Sequence, residues 1–195
     1  DEVILSNPHY PCYPNMIKFV GGKPRFVFVR EEEGFQLNPE KVKEAITKKT
    51  KAILINSPAN PTGNLLSPEW MEEIASFGIP VISDEIYHGL VYKGEAKSIL
   101  EFAGKGRELV ALNGFSKLFA MTGWRLGYII APQDLIRPIQ KMIQNLFISP
   151  NAFVQEAAIA ALNECEEETE KMRRIYDERR RFMIKRLREI GFGIT

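Results

Sequence analysis

A hydroxyl residue and a lysine, Ser116-Lys117, follow the apolar stretch Leu109 to Leu112, and Arg125 then opens a second apolar stretch, Leu126 to Ala131. An amine, a hydroxyl and a fixed positive charge at the edge of a sheet suit an amine-reactive cofactor that carries a phosphate. Desolvation or a nearby cation exposes a lysine's lone pair, which can then form a Schiff base with an aldehyde. Arg125 and Ser116 offer a phosphate a planar fork of donors and a hydroxyl. Asp84 closes the apolar run Ile79 to Ser83, where a carboxylate is costly unless a cation or strong donor meets it. A protonated ring nitrogen is such a partner. Tyr87 can bring its hydroxyl to the same ligand, the Asn60 amide can reach a ring oxygen, and Tyr10 offers a flat face for stacking.

Taken singly, each residue also has an ordinary structural use. Lysines sit in surface loops, arginines pair with carboxylates, and an aspartate at this spacing can cap a helix. Asn60-Pro61-Thr62-Gly63 has the composition of a tight turn. The chemical reading depends on the elements that bring the residues together.

Those elements alternate. Strands are expected at Val3 to Ser6, Arg25 to Arg30, Ala52 to Asn56, Ile79 to Ser83, Leu109 to Asn113 and Trp124 to Ile130. Helices are expected at Tyr13 to Val20, at Glu40 to Lys48 behind Asn38-Pro39, and from Ser67-Pro68 to Phe77. Further helices follow at Pro132 to Phe147 (bent or restarted near Pro138), Ala152 to Asn163 and Glu166 to Ile190. Short apolar strands alternating with helices predict an α/β fold: a three-layer αβα domain with a mostly parallel sheet. Ligands of such sheets bind outside the carboxyl ends of the strands, where Asn7, Asn60, Asp84 and Ser116-Lys117 are expected.

Composition excludes several alternatives. The chain has 195 residues, 45% hydrophobic and 26% charged, enough to bury a sizeable core. A net charge of +1 gives no electrostatic reason for a nucleic-acid or anionic-membrane partner. No apolar run approaches the roughly 20 residues that cross a bilayer. Cys12 and Cys165 stand alone, so neither a disulfide framework nor a metal site is expected, and a reducing, cytoplasmic setting is the default. Gly21-Gly22-Lys23 lacks the spacing of a phosphate loop and reads as a turn.

Four segments, DEVILSNPHYPCY (1–13), NSPANPTGNLLS (56–67), VISDEIYHGLVY (81–92) and NGFSKLFAMTGWRLGYIIAP (113–132), resemble the fold-type I class I/II aminotransferases in order and spacing. The resemblance spans essentially the whole chain and implies pyridoxal 5'-phosphate as cofactor, with an amino acid and a 2-oxo acid as substrates. Carried over residue by residue, it implies Lys117 as Schiff-base lysine and proton shuttle and Asp84 as partner of the ring nitrogen. It implies Tyr87 and Asn60 on the phenolic oxygen, Tyr10 stacked on the ring, and Ser116 and Arg125 on the phosphate. It also implies cis peptides at Asn7-Pro8 and Asn60-Pro61, and one antiparallel strand after Gly127. Gly114 departs from the pattern, standing where a phosphate-binding serine is frequent.

On the same resemblance, residues 1–183 are expected to be a cofactor-binding large domain, incomplete at both ends. Residues 184–195 would lead into a small domain, and the parent protein would be a homodimer. No residue here matches the arginine that binds the substrate carboxylate, so the isolated chain is expected to lack turnover. C–S lyases and other lyases share this cofactor shell, and a regulatory ligand-binding domain could keep it; substrate orientation, not the shell, separates these chemistries.

Overall fold

The computed structural model describes residues 1–104 and 106–194. Six strands form one sheet in the order β2-β1-β3-β4-β5-β6, with β1 at Glu2–Asn7, β2 at Lys23–Phe28, β3 at Thr50–Asn56, β4 at Val81–Asp84, β5 at Leu109–Gly114 and β6 at Gly127–Ile130. The first five run parallel, and β6 pairs antiparallel to β5. The helices are α1 (Cys12–Phe19), α2 (Pro39–Ala45), α3 (Pro68–Ala75), α4 (Gln133–Leu146), α5 (Ala152–Glu164) and α6 (Glu166–Glu189). The architecture is the expected α/β fold with one antiparallel strand.

Local chemistry sets the element ends. Asn38 caps α2 by accepting the Glu40 amide at 2.8 Å, and Ser67 caps α3 through the Trp70 amide at 3.2 Å. Each cap satisfies a donor that the first helical turn would leave orphaned, and the following proline brings a preset φ. At the end of α1, Gly21 takes a φ of 78°, and Gly21 and Gly22 donate their amides to Lys18 and Ile17. That closure confirms the turn read at Gly21-Gly22.

Strand alternation decides the core. Ile53, Ile55, Val81, Leu109 and Ala111 face one side and are buried with Val42, Met71 and Ile74 from α2 and α3, closed over by Ile99. Burying each large aliphatic side chain contributes about 1.5–3 kcal/mol. The alternate residues Leu54, Ile82, Val110 and Leu112 are only half-buried. A smaller cluster joins Phe115 and Met121 to Ala158 and Ala161 of α5.

Two expectations change. The strand predicted from Trp124 begins only at Gly127: Thr122–Trp124 is a single 3-10 turn and Arg125 adopts a left-handed φ of 57°. Apolar content alone does not reveal this reversal, which lets β6 return antiparallel. Helix α4 runs through Pro138 as one continuous element and does not restart there, although the proline cannot donate the backbone bond to Asp134. The peptide bonds Asn7-Pro8 and Asn60-Pro61 are cis as the resemblance implied, and Ser57-Pro58, not anticipated, is cis as well.

Candidate active site

All four parallel strands that bear site segments (β1, β3, β4 and β5) end on the same edge of the sheet, so their following loops converge. A cleft of about 370 Å³ opens there, lined by Tyr10, Tyr13, Asn60, Asp84, Ile86, Tyr87, Leu112, Asn113, Ser116, Lys117, Thr122 and Arg125. It contains every one of the seven residues singled out from the sequence. Its size is that of a small-molecule site.

Asp84 ends β4 with its carboxylate in the cleft. Oδ2 accepts the Tyr13 hydroxyl at 2.6 Å and Oδ1 accepts the Ile86 amide at 3.1 Å. Burial first, and then the hydrogen bond to Asp84, pushes the Tyr13 phenol far above its usual range, so this donor stays protonated. Tyr13 was read only as the start of a helix. An aromatic hydroxyl in the first turn after a strand-end loop was the available signal, but its partner lies 71 positions away.

The Asn60 amide donates to the Tyr87 hydroxyl at 3.2 Å. Asn60 is itself placed by Asn56, whose Oδ1 accepts the Asn60 amide N–H at 2.7 Å and whose Nδ2 donates to the Asp84 carbonyl at 2.9 Å. Asn56 thereby ties the ends of β3 and β4 together, a role that sequence reading missed. The Lys117 ammonium lies 5.6 Å from the centroid of the Tyr87 ring. Tyr10 is exposed and packs edge-on against Tyr13, with centroids 5.5 Å apart. The neighbouring Cys12, with burial and the proximity of Tyr87 and Asp84 adding to it, raises the Tyr10 phenol above its usual range.

At the other side, Ser116 and Lys117 occupy a turn closed by the Ala120 amide on the Lys117 carbonyl at 3.2 Å. Thr122 donates its hydroxyl to the Ser116 carbonyl, and the Arg125 guanidinium donates to the Thr122 carbonyl, both at 2.8 Å. Arg125 has further donors on its fork and is exposed to the cleft mouth. Gly114 is explained by packing: a Cβ there would stand 3.0 Å from the Leu126 carbonyl oxygen and 3.1 Å from the Gly127 Cα. Its amide is held by the Asn113 side chain at 2.7 Å.

A mostly parallel α/β sheet with an amine, a carboxylate, a hydroxyl–amide pair and a guanidinium gathered beyond its strand ends has the architecture of an aminotransferase cofactor domain. The sequence profile of the family "Aminotransferase class I and II" matches residues 1–195, and the chain belongs to that family. It is 45% identical, over its whole length, to the (5-formylfuran-3-yl)methyl phosphate transaminase of Methanocaldococcus jannaschii, covering 51% of that protein. It is 38% identical over 97% of its length to the aspartate aminotransferase of Sulfolobus acidocaldarius, covering 49% of it. A tetra mutant of Thermus thermophilus aspartate aminotransferase superposes with a TM-score of 0.94 at 37% identity, over 99% of this chain and 55% of that one. The chain spans about half the length of the curated relatives it matches. The family is pyridoxal-phosphate-dependent.

Among the described residues, no group of three or more His, Cys, Asp or Glu side chains could hold a metal ion, and no helix is long and apolar enough to cross a membrane.

Proposed function

We propose that this chain is the cofactor-binding part of a pyridoxal-phosphate-dependent aminotransferase that moves an amino group between an amino acid and a 2-oxo acid. The observation that carries the reading is the convergence of Lys117, Asp84, Tyr87, Asn60, Tyr10, Ser116 and Arg125 on one cleft from four separate strand ends. Their donor chemistry fits the cofactor: an amine for its aldehyde, a carboxylate for its ring nitrogen, a hydroxyl and an amide for its phenolic oxygen, and a hydroxyl with a guanidinium for its phosphate. When bound, the cofactor supplies an electron-withdrawing ring conjugated to the substrate amine.

Lys117 has two tasks on this reading. Its Nζ anchors the cofactor and, once displaced, holds and moves the proton of the substrate α-carbon, a transfer that typically contributes about 10²–10⁴-fold. Asp84 keeps a positive charge on the ring nitrogen, and Tyr13 holds the carboxylate in place through Oδ2. Tyr87, oriented by Asn60, donates to the phenolic oxygen. Ser116 and Arg125 grip the phosphate, with no side chain at Gly114 to share the work.

The remaining parts of the proposal concern the parent protein. Residues 1–183 form the cofactor domain and 184–195 the passage to a small domain. A homodimer is supported by the apolar side chains exposed on β6, α4 and α5, among them Ile129, Ile130, Leu146 and Phe153, which call for a cover, and a cytoplasmic setting rests on the lone Cys12 and Cys165.

The test is spectroscopic. The protein purified with pyridoxal phosphate gives a visible absorbance band that Lys117→Ala abolishes. Identical spectra for the two, with neither retaining cofactor, would overturn the Schiff-base assignment.

A further inference from the structure

Glu85 follows Asp84 directly but carries its side chain to the opposite, covered face of the sheet. It is 4% exposed. A carboxylate taken out of water is costly unless donors replace the lost hydration. Its Oε1 accepts the Ile99 amide at 2.8 Å and the Ser98 hydroxyl at 3.1 Å, and Oε2 faces Nδ1 of His88 at 3.6 Å. The main chain repeats the last link, for the His88 amide donates to the Glu85 carbonyl at 3.0 Å. Glu85 therefore closes the turn 85–88 from its backbone and from its side chain, and bolts that turn to the segment at 98–99.

Tyr87 lies within this turn, and its ring stands 5.6 Å from the Lys117 ammonium. Immediately beyond His88, Gly89 meets Leu118, the residue after Lys117. A Cβ on Gly89 would fall 2.3 Å from Leu118 Cδ1, so the two loops are in contact and an added side chain would have to displace that of Leu118. The Glu85 turn and the Lys117 loop thus meet twice, once through the Tyr87 ring and once through Gly89.

We propose that Glu85 is a positioning residue: anchored to Ser98, Ile99 and His88, it fixes the turn that sets Tyr87 and Gly89 against the Lys117 loop. The inference rests on the roles proposed above for Lys117 and Tyr87. A glutamine has the same size, but its amide offers the Ser98 and Ile99 donors a weaker acceptor and removes the charge facing His88.

The experiment compares wild type, Glu85→Gln and, as a packing control on the same segment, Ile99→Val in the full-length protein. In cofactor-free protein, Glu85→Gln speeds amide hydrogen exchange at His88 and Leu90 about tenfold, and Ile99→Val leaves it near wild type. With pyridoxal phosphate bound, Glu85→Gln shifts the pH midpoint of the visible band by about one unit, which a purely structural loss does not do. Wild-type exchange at these amides, an unmoved midpoint, or an equal shift in Ile99→Val each overturns the proposal. If Glu85→Gln does not fold, Ser98→Ala, which removes one donor to Glu85 Oε1, is read in its place, with faster exchange at His88 and Leu90 and the same midpoint shift expected; the absence of either counts against the proposal. Failure of the Schiff-base reading shows separately, as identical spectra for wild type and Lys117→Ala.

Discussion

The Tyr13 hydroxyl donates to Oδ2 of Asp84 at 2.6 Å, joining the first turn of α1 to the end of β4. The carboxylate receives one donor on each oxygen, Tyr13 on one side and the Ile86 amide on the other, which fixes its plane. A hydrogen bond to a charged acceptor is worth about 1.5–3 kcal/mol. Tyr13→Phe is expected to lower the unfolding free energy by that order in chemical denaturation at neutral pH. The alkaline behaviour gives a second check. The Tyr13 phenol is raised in the folded state, so its contribution is complete below the unfolded value near 10.0 and is lost as pH rises above it. Wild type should therefore lose stability above about pH 10 more steeply than Tyr13→Phe does.

Asp84→Asn keeps the shape of the side chain and removes its charge. On the proposed function, turnover of the full-length protein should fall by about 10²–10³-fold while pyridoxal phosphate is still retained, as judged by absorbance after dialysis. Unchanged kcat would remove Asp84 from the role of ring-nitrogen partner.

Gly114→Ala tests the tight seam between β5 and β6. The new Cβ meets backbone atoms, the Leu126 oxygen and the Gly127 Cα, which cannot rotate away as a side chain would. Overpacking of this kind costs about 1–3 kcal/mol, measurable by urea denaturation. Gly123→Ala is the control: nothing lies within 4 Å of its Cβ, and its effect should stay within about 0.5 kcal/mol.

Helix α6 carries an acid-sensitive ion network. Hydrogen bonds from Arg173 and then Arg174 hold the Glu170 carboxyl down at about 2, from an ordinary value of 4.5. A depressed carboxyl contributes stability that is present above 4.5 and is lost as pH falls towards 2. Helical circular dichroism should decline across that window in wild type, and Glu170→Gln should flatten the decline. Added salt should shrink the difference, because the pair is at the surface.

Much of this molecule was legible in its sequence because the informative signals are local. Alternation of short apolar runs with amphipathic segments placed the six strands and six α-helices of the described residues to within a few residues, though not the short 3-10 turns, and Asn38-Pro39 and Ser67-Pro68 marked two helix starts that their side-chain caps bear out. Where the prediction slipped, a backbone conformation was decided by its surroundings. Arg125 sits among apolar neighbours that read as strand, yet the antiparallel return of β6 demands a left-handed residue there.

The sequence by itself determined the alternating fold and proposed seven candidate residues, most of them at or just past strand ends that local hydrophobicity and turn chemistry define. Only the tertiary structure decided what those residues touch. Strand order puts β3 between β1 and β4, so Tyr13, which follows β1, must reach past the end of β3 to meet Asp84. Glu85 stands beside Asp84 in the chain but turns to the other face, where it finds partners 13 and 14 positions on. Such contacts depend on sheet order and on how loops pack, quantities that a side-chain pattern along one strand does not encode.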